Sequence, residues 1–303
     1  MTDLFGTLLD VTLPVALVTL LGYLAGRLGW ISDSRTLARL TLNILLPALA
    51  FSSLYQAHLT GDELLNLSIF TVVNMGLVLA LSYLIVRALA LDAVAASAFM
   101  LSTMMINAGN YGMPINQSAY GEEGLARATV FFVSSLVVNQ TVGLYIASSG
   151  HADPLAAIRD ILVSPLVYSA ILGLLLNRLH LMLPTFLAHT LELAGSAAIP
   201  MMLIILGAQL ANAEWDTNWW HASIAGALRL IGAPLLAFAV LLFFPLQGLS
   251  RNVGILQASM PTAVLASVFA TEYQAKPRFV TSVVLITTLG SLVTIPVLIT
   301  LLR

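Results

Sequence analysis

Charged side chains in this chain come in short clusters, and the stretches between clusters are uncharged over bilayer-crossing lengths. No Asp, Glu, Lys or Arg occurs at 64–86, 93–121, 128–152, 193–213 or 279–302. A hydrocarbon core of ~30 Å needs about 20 apolar residues per helix. The apolar runs are continuous rather than alternating, which selects helices over barrel strands. Composition agrees, with 59% of the 303 residues hydrophobic and only 9% charged, where soluble domains carry about 25% charged residues. The net charge of −2 offers nothing to a polyanion and argues against nucleic-acid binding. With no cysteine, disulfides, thiolate metal sites and cysteine nucleophiles are excluded.

Ten helical spans are expected, at about 5–27, 36–57, 64–87, 93–118, 124–148, 157–178, 187–211, 220–244, 250–271 and 277–302. The fold class is all-α, a polytopic membrane protein. Met1-Thr2-Asp3 has no basic lead-in, so the first apolar stretch reads as a retained span rather than a cleaved signal. Polar joints separate the spans, among them Ser32-Asp33-Ser34, Gly61-Asp62-Glu63, Gly121-Glu122-Glu123-Gly124 and Gly150-His151-Ala152-Asp153-Pro154. Arg27, Arg35, Arg39, Arg87, Arg159, Lys276 and Arg278 follow odd-numbered spans, whereas Arg127, Arg178, Arg251 and Arg303 follow even-numbered ones. Positive charge marks the cytoplasmic side, so both termini are expected outside.

The chain also repeats. A shift of 151 residues superposes Pro14 on Pro165, Gly22 on Gly173, Arg27 on Arg178, and Leu21, Leu24 and Leu28 on Leu172, Leu175 and Leu179. With a drift of a few residues, Pro47 meets Pro200 and Pro114 meets Pro261. Two repeats are expected, 1–150 and 151–303. Five helices per repeat is an odd number, so the second must insert upside down. Inverted repeats with interrupted helices at matching places point to a secondary transporter and to its binding site.

The fourth span carries the interruption Asn107-Ala108-Gly109-Asn110-Tyr111-Gly112-Met113-Pro114. Pro114 lacks an N–H and crowds the carbonyl four residues back, which frees the Asn110 carbonyl. Two glycines let the backbone leave helical angles, and the half-helix beyond begins with its positive dipole end exposed. The ninth span has the matching Gln257-Ala258-Ser259-Met260-Pro261-Thr262-Ala263, with the Gln257 carbonyl freed. The two breaks are expected to meet near mid-membrane, where half-helix N-termini favour a carboxylate and free carbonyls a cation. The alternative is that the prolines and glycines only kink their helices.

Asn43 lies four residues before Pro47 and is a further candidate, either as a site residue or beside a simple kink. Asn74, Asn139, Gln140 and Gln209 are intramembrane amides, of which Asn74 and Gln140 read as helix-joining. Arg229 lies about ten residues into the eighth span. It either snorkels to the interface marked by Trp219, Trp220 and His221, or holds a carboxylate or the helix dipoles. No Asp or Glu lies deep in a span, so a carboxylate proton relay has no carrier. Na+ coupling through carbonyls and amides, or no coupling, fits better. No phosphate-binding loop or zinc motif is present, and no enzymatic activity is expected.

The stretch Asn107–Pro114 resembles the fourth-helix signature of the auxin efflux carrier family, which contains plant carriers and bacterial malate and malonate permeases. Ala198-Ile199-Pro200-Met201 through Gly207-Ala208-Gln209-Leu210, Met260-Pro261-Thr262-Ala263 and Glu272-Tyr273 resemble it too. The short joint between the fifth and sixth spans makes the chain similar to bacterial members. The resemblance implies a scaffold of about 5–57 and 157–211, often a dimer interface, and a moving transport bundle of about 64–148 and 220–302. It also implies that crossed spans 4 and 9 bind an organic anion.

The expected function is therefore a carrier of small organic anions in the cytoplasmic membrane of a bacterium, working by an elevator-like motion. It is expected to form a homodimer, with membrane lipid as its surroundings, no resident cofactor and Na+ as the candidate coupling ion. The candidate substrate site comprises Asn107, Gly109, Asn110, Tyr111, Gly112, Pro114, Gln257, Ser259, Pro261, Thr262, Arg229 and Asn43. Rival readings are a membrane sensor or lipid-binding receptor on the same fold, and a channel-like facilitator.

Overall fold

The structure is a computed structural model, and it describes residues 2–148, 163–211 and 219–302, together with Arg159, Ile161, Ala213 and Asp216. Apart from turns, joints and one isolated bridge, the described residues are helical. In chain order the helices are α1 (Leu4–Arg27), α2 (Ser34–Tyr55), α3 (Gly61–Ala88), α4 (Ala93–Met104) and α5 (Ala108–Ala147). There follow α6 (Pro165–Arg178), α7 (Thr185–Ala211), α8 (Trp219–Leu241), α9 (Gly248–Ala258), α10 (Val264–Glu272) and α11 (Pro277–Leu302). Among the described residues seven of these, α1, α2, α3, α5, α7, α8 and α11, are long and apolar enough to cross a membrane. The expected joint at Gly150–Pro154 lies outside the described residues, as does most of the expected start of the sixth span.

Helix starts are set by the polar joints. The Asp33 carboxylate accepts the Arg35 N–H at 2.9 Å and that of Asp92 accepts the Ala95 N–H at 2.8 Å. Thr60 and Glu63 form a reciprocal capping box at the start of α3, which satisfies two otherwise orphaned donors. At Gly121 the chain takes φ 65°, ψ −157°, breaking α5 in two at the expected joint.

Four of the prolines act through a common device. Pro14, Pro47, Pro114 and Pro234 each follow a wide π-turn, at Leu8–Thr12, Thr41–Leu45, Ala108–Gly112 and Leu228–Gly232. A proline cannot donate to, and sterically crowds, the carbonyl four residues back. Bonding to the fifth residue back relieves that conflict without ending the helix.

Two groups of helices result. In one, α1 lies along α7 and α2 along α6 and α7; in the other, α3, α4, α5, α8, α9, α10 and α11 pack mainly on one another. The first group holds two matching close approaches. A Cβ at Gly22 would meet the Ile204 backbone, and one at Gly173 would lie 2.7 Å from the Phe51 carbonyl oxygen. Small residues at such places let membrane helices gain dispersion energy where no hydrophobic effect is available. Gly29 after α1 and His180 after α6 also take the same left-handed conformation, at φ 75° and 53°.

Candidate functional site at the helix crossing

Between α4 and α5, and between α9 and α10, the chain is not helical, and the two gaps lie against each other. Ile106 and Thr262 form an antiparallel bridge. The Asn107 N–H donates to the Pro261 carbonyl at 2.9 Å, and the Ala263 N–H donates to the Met105 carbonyl at 2.8 Å. Backbone groups freed by one break are thus satisfied by the other, as a low-dielectric interior requires. The Thr262 hydroxyl adds a 2.6 Å bond to the Ser102 carbonyl, while its N–H donates to Thr287 Oγ1 at 3.1 Å.

The unwinding in the fourth span differs from the sequence expectation. It falls at Met105–Asn107, ahead of Pro114, which sits at the second position of the α-helix that resumes at Met113. The π-turn at Ala108–Gly112 absorbs the proline, and the break is set instead by pairing with the opposite segment. In the ninth span the Gln257 carbonyl is not free, because it accepts the Met260 N–H at 3.2 Å in a tightened last turn. The carbonyls that leave the helical ladder are those of Ala258 and Met260, and both are taken by Arg229.

Both half-helices that leave the crossing lack a side-chain cap: Asn107 stands before the turn that opens α5, and Ala263 before α10. Their dipole ends are positive. Around them the sequence candidates converge. Asn107 is 4% exposed, and its Nδ2 has no protein partner. Gln257 is fully buried; its Nε2 donates to the carbonyls of Ala108 at 3.3 Å and Ala128 at 3.2 Å, while its Oε1 has no protein partner. The Gln257 amide lies where a Cβ on Gly112 would sit, and the Phe132 ring covers Gly109. Asn110 is half-buried and Tyr111 buried in the same wide turn. Ser259 lies at the break, but its hydroxyl turns back to the Ile255 carbonyl at 2.7 Å.

Arg229 reaches the crossing from the π-turn of α8 and is wholly buried. That excludes snorkelling. Nε donates to the Met260 carbonyl at 3.0 Å, Nη1 to the Thr103 carbonyl at 2.9 Å and Nη2 to the Ala258 carbonyl.

The family comparison agrees with a helical chain built for a membrane. The sequence profile of a family described as membrane transport protein matches residues 8–155 and 153–299. The chain belongs to this family, that of the auxin efflux carriers. Within it, the chain is 30% identical over 291 residues to an uncharacterized transporter of Methanothermobacter thermautotrophicus, covering 95% of this chain and 96% of that one. It is 25% identical over 300 residues to an uncharacterized transporter of Escherichia coli (strain K12), with 94% of each chain covered. A 145-residue stretch, 46% of this chain, is 25% identical to auxin efflux carrier component 2 of Oryza sativa subsp. japonica and covers 22% of that protein. The relatives are named as transporters, and this membrane-embedded, multi-pass chain is a member of a transporter family.

Two features of this family member lie outside the crossing hydrogen bonds. Asn43 is exposed on α2 and donates to the Arg39 carbonyl of its own helix at 2.8 Å. Asn74 makes no helix-joining hydrogen bond among the described residues: it is fully buried, and neither amide atom has a partner there.

Sequence reasoning missed an ion cluster at one end of the bundle. Arg127, buried in α5, donates to Glu63 at 3.2 Å, to the Glu123 carboxylate at 2.7 Å and to Ser250 Oγ at 3.0 Å; His58 Nδ1 lies 2.7 Å from Glu123. The sequence marks Glu63 only as part of a polar joint, and its partners Arg127 and Ser250 come from two other joints. Beside this cluster is a cavity of about 240 Å³ between α2, α7 and the end of the first half of α5, lined by Ser52, Gln56, Gln117, Glu122, Glu123 and Glu192 among others.

Proposed function

We propose that the chain is a carrier of small organic anions, carboxylates foremost, in the cytoplasmic membrane of a bacterium. The observation that carries this reading is the pair of uncapped half-helix N-termini at the crossing, beside the unpartnered amide of Asn107. Positive dipole ends and amide donors in a dry site stabilise a carboxylate without a fixed countercharge. Asn107 and Asn110 hold the carboxylate, with Gly109, Tyr111, Gly112, Gln257, Pro261 and Thr262 forming the walls.

In this reading the chain has ten spans, α4 and the first half of α5 making the fourth, and α9 and α10 the ninth. They form two inverted five-helix repeats, 1–150 and 151–303. The matched approaches of Gly22 to Ile204 and of Gly173 to Phe51, and the matched turns at Gly29 and His180, support the repeat. The group containing α1, α2, α6 and α7 is the scaffold, through which two copies pair. The group containing the crossing is the bundle that shifts as an elevator, and both termini lie outside.

A thermal-shift screen of carboxylates on the purified protein tests the reading, because a ligand that binds only the folded state raises the midpoint with concentration. A carboxylate that shifts the wild type and not Asn107→Ala is expected. Absence of any shift across mono-, di- and hydroxycarboxylates would remove the substrate class.

A further inference from the structure

Arg229 is the largest side chain with no exposure among the described residues, and it forms no ion pair among them. Its three acceptors have one character. Thr103 lies in the last turn of α4, Ala258 ends α9, and Met260 is in the unwound segment that follows. The guanidinium therefore sits on the C-terminal ends of both half-helices that enter the crossing. Each such end carries roughly half a negative charge, so two of them balance about one positive charge. Converging carbonyls at half-helix C-terminal ends are also the arrangement that coordinates a Na+ in transporters built on broken helices. Among the described residues no group of three or more His, Cys, Asp and Glu could hold an ion instead.

We propose that Arg229 is a resident cation: its guanidinium occupies the carbonyl nest where a monovalent ion would otherwise bind, so the protein neither binds nor requires Na+ at the crossing. The π-turn at Leu228–Gly232, held open ahead of Pro234, delivers the side chain to that place. A fixed charge does not come and go with the transport cycle. On the carrier reading above, on which this consequence rests, the loaded bundle differs from the empty one by the charge of the substrate alone.

The test is a thermal titration of the purified protein with NaCl against choline chloride at constant ionic strength, and with low-millimolar guanidinium, without substrate. Wild type and Arg229→Lys are expected to show no saturable response to Na+. Arg229→Ala is expected to melt lower and to recover about half or more of its loss, saturably, with Na+ or guanidinium. Rescue by a small cation separates charge compensation from simple packing. A saturable Na+ shift in the wild type overturns the proposal, as does an Arg229→Ala protein that matches the wild type or whose loss no cation repairs. Should Arg229→Ala fail to accumulate, the wild-type titration decides, a flat response supporting the proposal and a saturable one overturning it. No substrate enters the experiment, so its failure would leave the carrier reading standing.

Discussion

Ile106 and Thr262 face each other as an antiparallel bridge inside a protein whose described residues are otherwise helical. This contact joins the gap between α4 and α5 to that between α9 and α10 through backbone groups, so the crossing depends on chain geometry as much as on side-chain identity. Thr262→Val keeps the bridge but loses the 2.6 Å bond from its hydroxyl to the Ser102 carbonyl. It is expected to lower stability by about 1 kcal/mol, measured as the midpoint of thermal unfolding in detergent.

The close approach of α6 to α2 is tested without touching the crossing. Gly173→Ala places a Cβ against the Phe51 backbone, where neither element can yield cheaply, and is expected to cost about 1–3 kcal/mol. Gly76→Ala, with nothing within 4 Å, serves as the comparison and is expected to be neutral or stabilising by up to ~1 kcal/mol through helix propensity. Equal midpoints for the two variants would contradict the packing described.

The Arg127 cluster joins the starts of α3 and α9 to the second half of α5. Arg127→Ala leaves Glu63, Glu123 and Ser250 without their shared donor. The carboxylates keep some contact with water, their side chains being 31% and 39% exposed, so the expected loss is roughly 1–3 kcal/mol rather than that of a fully buried pair. Arg127→Lys is expected to retain part of it. Thermal midpoints of the two variants at low and high salt check both statements.

Asp92 caps α4 and pairs with Lys276 at 3.1 Å. The Ala95 N–H, and then the Lys276 ammonium, hold its carboxyl below its ordinary value of 3.8. Because the folded value is the lower one, the contribution to stability is full above the ordinary value and is lost as pH falls through the folded one. Wild type is therefore expected to exceed Asp92→Asn in thermal midpoint at pH 7, with the difference closing below about pH 4. A difference that grew on acidification would show the sign to be wrong.

Much of this architecture is legible in the sequence because its signals are local. Uncharged runs placed the helices, and the joints at Ser32-Asp33-Ser34, Gly61-Asp62-Glu63 and Gly121-Glu122-Glu123-Gly124 are ones that the structure keeps. Pro114 and Pro261 located the two breaks to within a turn or two. The exact unwinding at Met105–Asn107 was not legible, since Met105 and Ile106 carry no breaking tendency; the opposite segment imposes it. Arg229 was readable as an anomaly, and a pairing with helix dipoles was among its options. Its actual acceptors come from distant elements. For the same reason Arg127 looked like an ordinary joint charge.

Counterflow tests the central claim, that the crossing binds a carboxylate for transport, most directly. Proteoliposomes loaded with the carboxylate that shifts the wild-type midpoint most are placed in its labelled form, and the initial rate is compared with that of Asn107→Ala at matched inserted protein. A saturable wild-type rate is expected, falling roughly 10- to 100-fold in the variant as a hydrogen bond to a charged group is lost. An unsaturable wild-type flux, or an Asn107→Ala rate equal to wild type, would contradict the account.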